Sequence, residues 1–247
     1  MKKNNIKINK QIKYYFNENF FKTESEESFY WAGFIAADGC LSDFKMKSRN
    51  TINHKLIIGL ADKDKCHLEL FLKNINSNHP INKRIIKNSN KNNNPKYKYK
   101  YKDSLSVNIV IYSESFFEDL SKFNIIPRKT LKLKFPEWLI NHKFVHHFMR
   151  GYVDGDGCWS LRSRKAVKQA VFNIIGTKEF ITTFRLILEN NNVVPKNDNE
   201  IKMRDKIATL SYEGNRLIPK IRDFLYKDAT VYLQRKYDKV KNIQSIR

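Results

Sequence analysis

Apolar and polar positions fall into blocks whose order predicts helices alternating with pairs of short strands. The densest apolar block, Trp31 to Ala37, sits in a predicted helix over Glu26–Asp38, and a second helix of this kind covers about Lys143–Asp156. Each stops at an Asp-Gly pair, where glycine is expected to take the left-handed conformation that closes a helix. Strand-like stretches come next: Leu41–Arg49 and Asn53–Leu60 after the first helix, Trp159–Arg164 and Gln169–Ile175 after the second. Helices are then expected over Lys65–Ile75 and Glu179–Asn190. Two more strands follow in each series, Ile81–Lys87 with Leu105–Tyr112 and Glu200–Arg204 with Ile207–Tyr212. Helices over Glu114–Phe123 and Arg216–Leu225 end the series. Pro127 and Pro136 punctuate the join, and Thr230–Val240 adds a last helix.

The two series are copies of one another. Trp31–Cys40 matches Met149–Cys158 at a spacing of 118 residues, the distance from Asp38 to Asp156. Leu56–Gly59 then matches Asn173–Gly176 at 117, Ile111-Tyr112 matches Ser211-Tyr212 at 100, and Arg128-Lys129 matches Arg235-Lys236 at 107. The order is kept throughout, and an extra segment around Asn88–Lys102 accounts for the largest change in spacing. Four ordered matches imply an internal duplication.

Composition narrows the class. The 247 residues are 41% hydrophobic, enough for a packed core, and 47 Lys and Arg against 25 Asp and Glu leave a net charge of +22. A field of that sign and size suits a protein that works on a polyanion, and nucleic acid is the first candidate. No apolar stretch approaches the ~20 residues of a membrane helix. The basic start Met1–Asn5 has no apolar core behind it, so no secretory signal is expected. Cys40, Cys66 and Cys158 do not make a disulfide framework and point to a reducing compartment. An intein is not expected, since its first residue should be a nucleophile and its last an Asn, whereas this chain runs from Met1 to Arg247.

The repeated helices carry the candidate chemistry. Gly33 and Ala37 lie four apart, as do Gly151 and Gly155, giving each helix a small-residue face over successive turns. Two such helices can pack closely about a pseudo-twofold axis and end together, with Asp38 beside Asp156. Two carboxylates and two helix C-termini form an acidic pocket suited to a hard divalent cation such as Mg²⁺. A lone Asp-Gly is usually a turn or helix end; its recurrence at equivalent positions argues for more. Asp154-Gly155-Asp156-Gly157 fails as a calcium loop, because Cys158 and Lys165 fall where ligands are needed. His142 and His146 have Lys143 where a zinc protease needs Glu, so they read as ordinary surface histidines. Cys40 and Cys158 read as small buried strand residues.

On these residues the chain resembles a single-chain, two-motif LAGLIDADG homing endonuclease, with the similarity concentrated in the motifs and extended by element order over about Ser28 to Val240. The resemblance implies an α+β fold of two pseudo-twofold-related αββαββα repeats, with motif helices at their interface and saddle-shaped antiparallel sheets on DNA. It divides the chain into a basic arm (1–24), a first repeat (25–136) and a second (137–247). It implies a monomeric, site-specific double-strand DNA endonuclease that hydrolyses one phosphodiester per strand in a staggered cut and serves intron homing. Two or three Mg²⁺ ions, replaceable by Mn²⁺, would be held by Asp38 and Asp156 and by the carbonyls of Ala37 and Gly155. Lys129 and Lys236 carry over as catalytic lysines near the scissile phosphates. The first motif has Ala36 where many members have an earlier Asp. The second keeps Asp154, a position expected to cap the helix. An intron RNA maturase or a non-cleaving DNA-binding protein of the same fold stays open, as does the compartment, an organelle such as the mitochondrion or a phage or bacterial cytoplasm.

Basic residues fill in the DNA surface. Lys45, Lys47 and Arg49 alternate along one strand and Arg162 and Arg164 along its counterpart, so each set points to one face. Such a face is commonly just solvated; beside the acidic pocket in both repeats it reads as DNA-facing. Asn53, Lys55, Lys168 and Gln169 on neighbouring strands are further candidates. In Lys96–Lys102 lysine and tyrosine alternate, so a strand there would track the backbone with Lys98 and Lys100. Asn88–Lys96 is expected to be a mobile loop, and the lysine-rich arm Lys2–Lys13 to be disordered without DNA.

Overall fold

A computed structural model describes residues 13–45, 52–87, 103–164, 167–196 and 201–243. The arm up to residue 12, Lys47, Arg49 and the tract 88–102 with Lys98 and Lys100 lie outside the described residues, as does the side chain of Arg164.

The first repeat comprises α1 (Glu26–Asp38), β1 (Gly39–Lys45), β2 (Ile52–Ala61), α2 (Lys65–Asn74), β3 (Asn82–Ile86), β4 (Ser104–Tyr112) and α3 (Glu114–Lys122). The second comprises α4 (Val145–Asp156), β5 (Gly157–Arg164), β6 (Val167–Gly176), α5 (Lys178–Asn190), β7 (Lys202–Arg204), β8 (Ile207–Glu213) and α6 (Ile218–Leu225), with α7 (Gln234–Val240) added. Each repeat forms one antiparallel four-stranded sheet, in the orders β1-β2-β4-β3 and β5-β6-β8-β7. The αββαββα reading therefore holds in both halves.

Local chemistry starts α1 cleanly. Ser25 Oγ accepts from the Ser28 amide, Ser28 Oγ accepts from the Ser25 amide, and Glu26 and Glu27 favour the positive end of the helix. From Ser28 to Ala36 every residue is buried, which makes α1 a central helix with no solvent face. Its partner is α4. A Cβ on Gly33 would lie 1.9 Å from the Phe148 carbonyl oxygen, and one on Gly151 would lie 1.9 Å from that of Tyr30. The reciprocity is the signature of a twofold axis, since Gly33 matches Gly151 and Tyr30 matches Phe148. Lower down, a Cβ on Gly155 would lie 2.3 Å from that of Ala37, so the pair tolerates one methyl but not two.

Two expectations need correcting here. Gly39 and Gly157 do not adopt the left-handed conformation: φ is −80° and −89°, and both residues lead straight into strands. Glycine is needed because a Cβ would meet Ile35 Cγ2 at 2.5 Å or the Val153 carbonyl at 2.6 Å. The sheet alignment between halves also shifts by one residue. Gly39 pairs with Ile58 and Gly157 with Ile174, a spacing of 116 rather than 117, and Ile58 pairs with Ile109 where Ile174 pairs with Leu210, a spacing of 101 rather than 100. A one-residue slip exchanges the faces of a strand, so Tyr112 is exposed while Tyr212 is buried in the core.

Helices cover one face of each sheet, where Leu41, Leu56, Ile58, Val107, Ile109 and Ile111 meet Leu68, Phe71, Phe116 and Leu120; one continuous core spans both halves. Polar bonds stitch across it. Arg150, fully buried, donates to Glu26 (2.7 Å), to the Val231 and Leu225 carbonyls (3.0 and 2.9 Å) and to His147 Nδ1 (2.7 Å). Glu26 in turn accepts from the Thr230 and Val231 amides. Removing either partner strands a buried charge, so Arg150→Met should destabilise the fold by about 3–5 kcal/mol in chemical denaturation.

Buried histidines give a second expectation. Burial lowers His67 to about 3, and burial with Arg150 beside it lowers His147 to about 3. Both are neutral when folded, whereas an unfolded chain protonates them near 6.5. Their stabilisation is complete above that pH and is lost as pH falls from 6.5 toward 3. Unfolding free energy should drop by about 1.4 kcal/mol per pH unit for each histidine over that window. Replacing His147 with Gln should make the acid limb shallower.

Candidate functional site

Asp38 and Asp156 terminate α1 and α4 and come together at the pseudo-twofold axis: the position of a Gly155 Cβ would lie 3.4 Å from the Asp38 carboxyl carbon. Asp38 also lines a cavity of about 560 Å³ on the outer face of the first sheet with Gly59, Ala61, Arg84, Ile86 and Asn108. Burial raises the pKa of both carboxyls. The charge of Asp156 raises Asp38 further, and Lys236 and Lys129 oppose the rise in each. Among the described residues neither carboxylate has an ion-pair partner within 4.0 Å.

The lysines are close by but bonded elsewhere. Lys129 follows Arg128, whose left-handed backbone (φ 59°) turns the chain inward, and its Nζ donates to the Ala37 carbonyl at 2.9 Å. Lys236, on α7, donates to the carbonyls of Val153 (3.0 Å), Gly155 (2.7 Å) and Gly157 (2.7 Å). Each ammonium therefore sits at the negative end of a motif helix. Burial lowers the pKa of both, and the aspartates oppose the fall. Asp38, Asp156, Lys129, Lys236 and the carbonyls of Ala37 and Gly155 thus lie close together at the ends of the two motif helices.

The donor set is compatible with a divalent cation. Two partly desolvated carboxylates without a salt bridge form an anionic pair that a hard cation would neutralise. No three His, Cys, Asp or Glu side chains group as metal ligands among the described residues, so the carboxylates would need oxygens from elsewhere. The Ala37 and Gly155 carbonyls already accept from lysine, which leaves one lone pair on each.

Other residues fall differently from expectation. Asp154 does not cap its helix: it is buried, and it accepts from the Tyr30 hydroxyl (2.8 Å), the Tyr226 hydroxyl (3.2 Å) and the Leu233 amide (2.6 Å). It thereby ties α1 to the segment before α7, a cross-link with no equivalent at Ala36. Cys40 and Cys158 are exposed rather than buried, because they occupy the outer faces of β1 and β5. His142 and His146 are half-buried rather than surface residues; His142 stacks on Phe29 with ring centroids 4.8 Å apart.

Strand parity sorts the DNA-facing candidates. On β1 the outer face carries Cys40, Ser42 and Phe44, opposite buried Leu41, so Lys45 lies on the helix side at the sheet's edge. Its counterpart is Ser163; Phe44 is the residue that matches Arg162. Asn53 and Lys55 do lie on the outer face, where Lys55 Nζ sits 5.4 Å from the Phe44 ring centre. In the second sheet Arg162 and Gln169 pair on the outer face, and Lys168 falls on the other side opposite Ser163. Arg162 is held by Glu213 at 2.8 Å. Arg84, Ser106 and Asn108 in the first sheet, and Asn173, Lys202, Arg204 and Ser211 in the second, also share the outer faces and were not picked out from sequence.

No family model matches the chain, and no curated protein does. Solved structures do. The I-LtrWI LAGLIDADG homing endonuclease bound to target DNA matches with a TM-score of 0.53 at 15% identity over 90% of this chain and 88% of that one. The chain has the two-repeat LAGLIDADG fold. The LAGLIDADG meganuclease I-CpaMI bound to uncleaved DNA matches at 0.53 and 15% identity, covering 87% of this chain and 88% of its own. The I-SmaMI LAGLIDADG homing endonuclease bound to cleaved DNA matches at 0.53 and 13%, covering 88% and 87%. Within the LAGLIDADG fold, α1 and α4 are the paired central helices, and the aspartates close them.

Proposed function

We propose that this chain is a site-specific double-strand DNA endonuclease that works as a monomer with divalent metal. One observation carries the reading. Two partly desolvated carboxylates without ion-pair partners among the described residues end the paired helices, Asp38 opening onto the outer face of the first sheet, in a chain of net charge +22. A bound divalent cation would polarise the scissile phosphate and lower the pKa of the attacking water. Asp38 and Asp156 would hold it. Ammonium groups here add positive charge where the leaving oxygen develops negative charge. Outer-face residues such as Lys55, Arg84, Arg162 and Arg204 would grip phosphates or base edges, with arginine suited to guanine.

Incubation with Mg²⁺ and a plasmid carrying the intronless insertion site is expected to give linear product. Intact plasmid together with selective binding to an intron transcript would instead establish the maturase. If about ten phosphates are neutralised, log affinity should fall against log salt with a slope of about −9. Nitrocellulose-filter titrations from low to moderate salt would measure it, and a slope near zero would assign the charge another purpose.

A further inference from the structure

We propose that the two lysines, equivalent by sequence, differ in use: Lys236 ties down the end of α4, and Lys129 alone offers N–H groups to a phosphate. The proposal rests on the endonuclease reading for its substrate, and its geometry stands independently.

An ammonium has three N–H donors. Lys236 spends all three on the carbonyls of Val153, Gly155 and Gly157, at 3.0, 2.7 and 2.7 Å. A phosphate oxygen would have to displace one of them. Lys129 makes a single bond, to Ala37, among the described residues, which leaves two donors unspent near the charges of Asp38 and Asp156. The surroundings reinforce the difference. Lys236 lies inside α7, where the neighbouring Arg235 forks onto Asp64 with two bonds of 2.9 Å. Lys129 sits in a short 3-10 turn after Arg128, the exposed counterpart of Arg235. The aspartates differ as well. Tyr152, beside Asp156, donates to the Ile175 carbonyl at 3.0 Å, while its counterpart in the first half is Phe34, which has no hydroxyl.

The two halves therefore build one loose and one locked lysine at a common centre. Cleavage of one strand should depend on Lys129, and cleavage of the other should not depend on Lys236 in the mirror-image way. Lys236 is a positioning residue that holds the helix end bearing Asp156.

Single-turnover cleavage with separate labels on the two strands tests this, using the full chain and its Lys129→Met and Lys236→Met variants. Lys129→Met is expected to slow one strand about 100-fold and the other less than about threefold, so nicked DNA accumulates. It should also make the salt slope of binding shallower by about 1 and leave Tm nearly unchanged. Lys236→Met is expected to lower Tm by about 5 °C or more, leave the salt slope as it was, and slow both strands in proportion. If that variant does not fold, Lys236→Arg should show a smaller Tm loss with the same strand ratio, since a planar guanidinium does not cap three converging carbonyls equally. Mirror-image strand losses with equal Tm values would overturn the proposal. If the wild-type chain cuts nothing, the endonuclease reading fails by itself. Tm and salt slope then decide the lysines: equal Tm losses, or a shallower slope in a Lys236 variant, would overturn their inequivalence.

Discussion

Asp38→Asn or Asp156→Asn is expected to lower double-strand cleavage by about 10³-fold or more while DNA affinity stays within a few-fold. Asparagine keeps the shape and one carbonyl oxygen of each side chain but removes the charge that attracts a cation. Binding should survive because the outer faces of both sheets, which carry Lys55, Arg84 and Arg162, are untouched. The substitutions should not destabilise the fold, since each removes one of two repelling, partly desolvated carboxylates. A gain in Tm alongside lost cleavage would be the combined signature. Full linearisation of a target plasmid by either variant would show that these carboxylates do not perform the chemistry.

The second large effect falls on the helix interface. Gly33→Ala or Gly151→Ala is expected to destabilise the chain by more than about 4 kcal/mol, or to prevent folding. A methyl at either place would lie 1.9 Å from a backbone carbonyl oxygen of the facing helix, and neither main chain can withdraw without separating α1 from α4 along their length. Gly59→Ala is the control. The nearest atoms to its Cβ are 3.9 Å away, so it should change stability by less than about 1 kcal/mol. Urea denaturation of the three variants side by side would make the comparison. Equal stability of Gly33→Ala and Gly59→Ala would contradict the close helix crossing.

Local signals made most of the fold legible. α1 begins and ends at the residues read from sequence, since an Asp-Gly pair closes its apolar run. The recurrence of Arg-Lys after the third helix of each half led to Lys129 and Lys236, which the structure brings to the motif helices' carbonyls. What escaped depends on partners distant along the chain. Alternation of exposed lysines carries no register information, so it puts Lys45 on the wrong face, and the strand that carries Lys168 and Gln169 turns only Gln169 outward. Arg150 reads as an ordinary basic residue until Glu26 and the carbonyls of Leu225 and Val231 surround it. Asp154 looks like a helix cap until Tyr30, Tyr226 and Leu233 close on it from two other segments. Gly39 and Gly157 suggest a left-handed backbone, whereas the constraint on them is steric contact with the preceding helical turn. In each case the residue type was informative and the reason for it was tertiary.

Mapping both strand ends of the reaction product tests the central claim most directly. The target DNA is incubated with the wild-type chain and Mg²⁺, and each new terminus is sequenced, with a chelator control. The account predicts one hydrolysed phosphodiester per strand, at fixed and staggered positions, with no product in chelator. Intact DNA, breaks at scattered positions, or cutting that persists in chelator would contradict it.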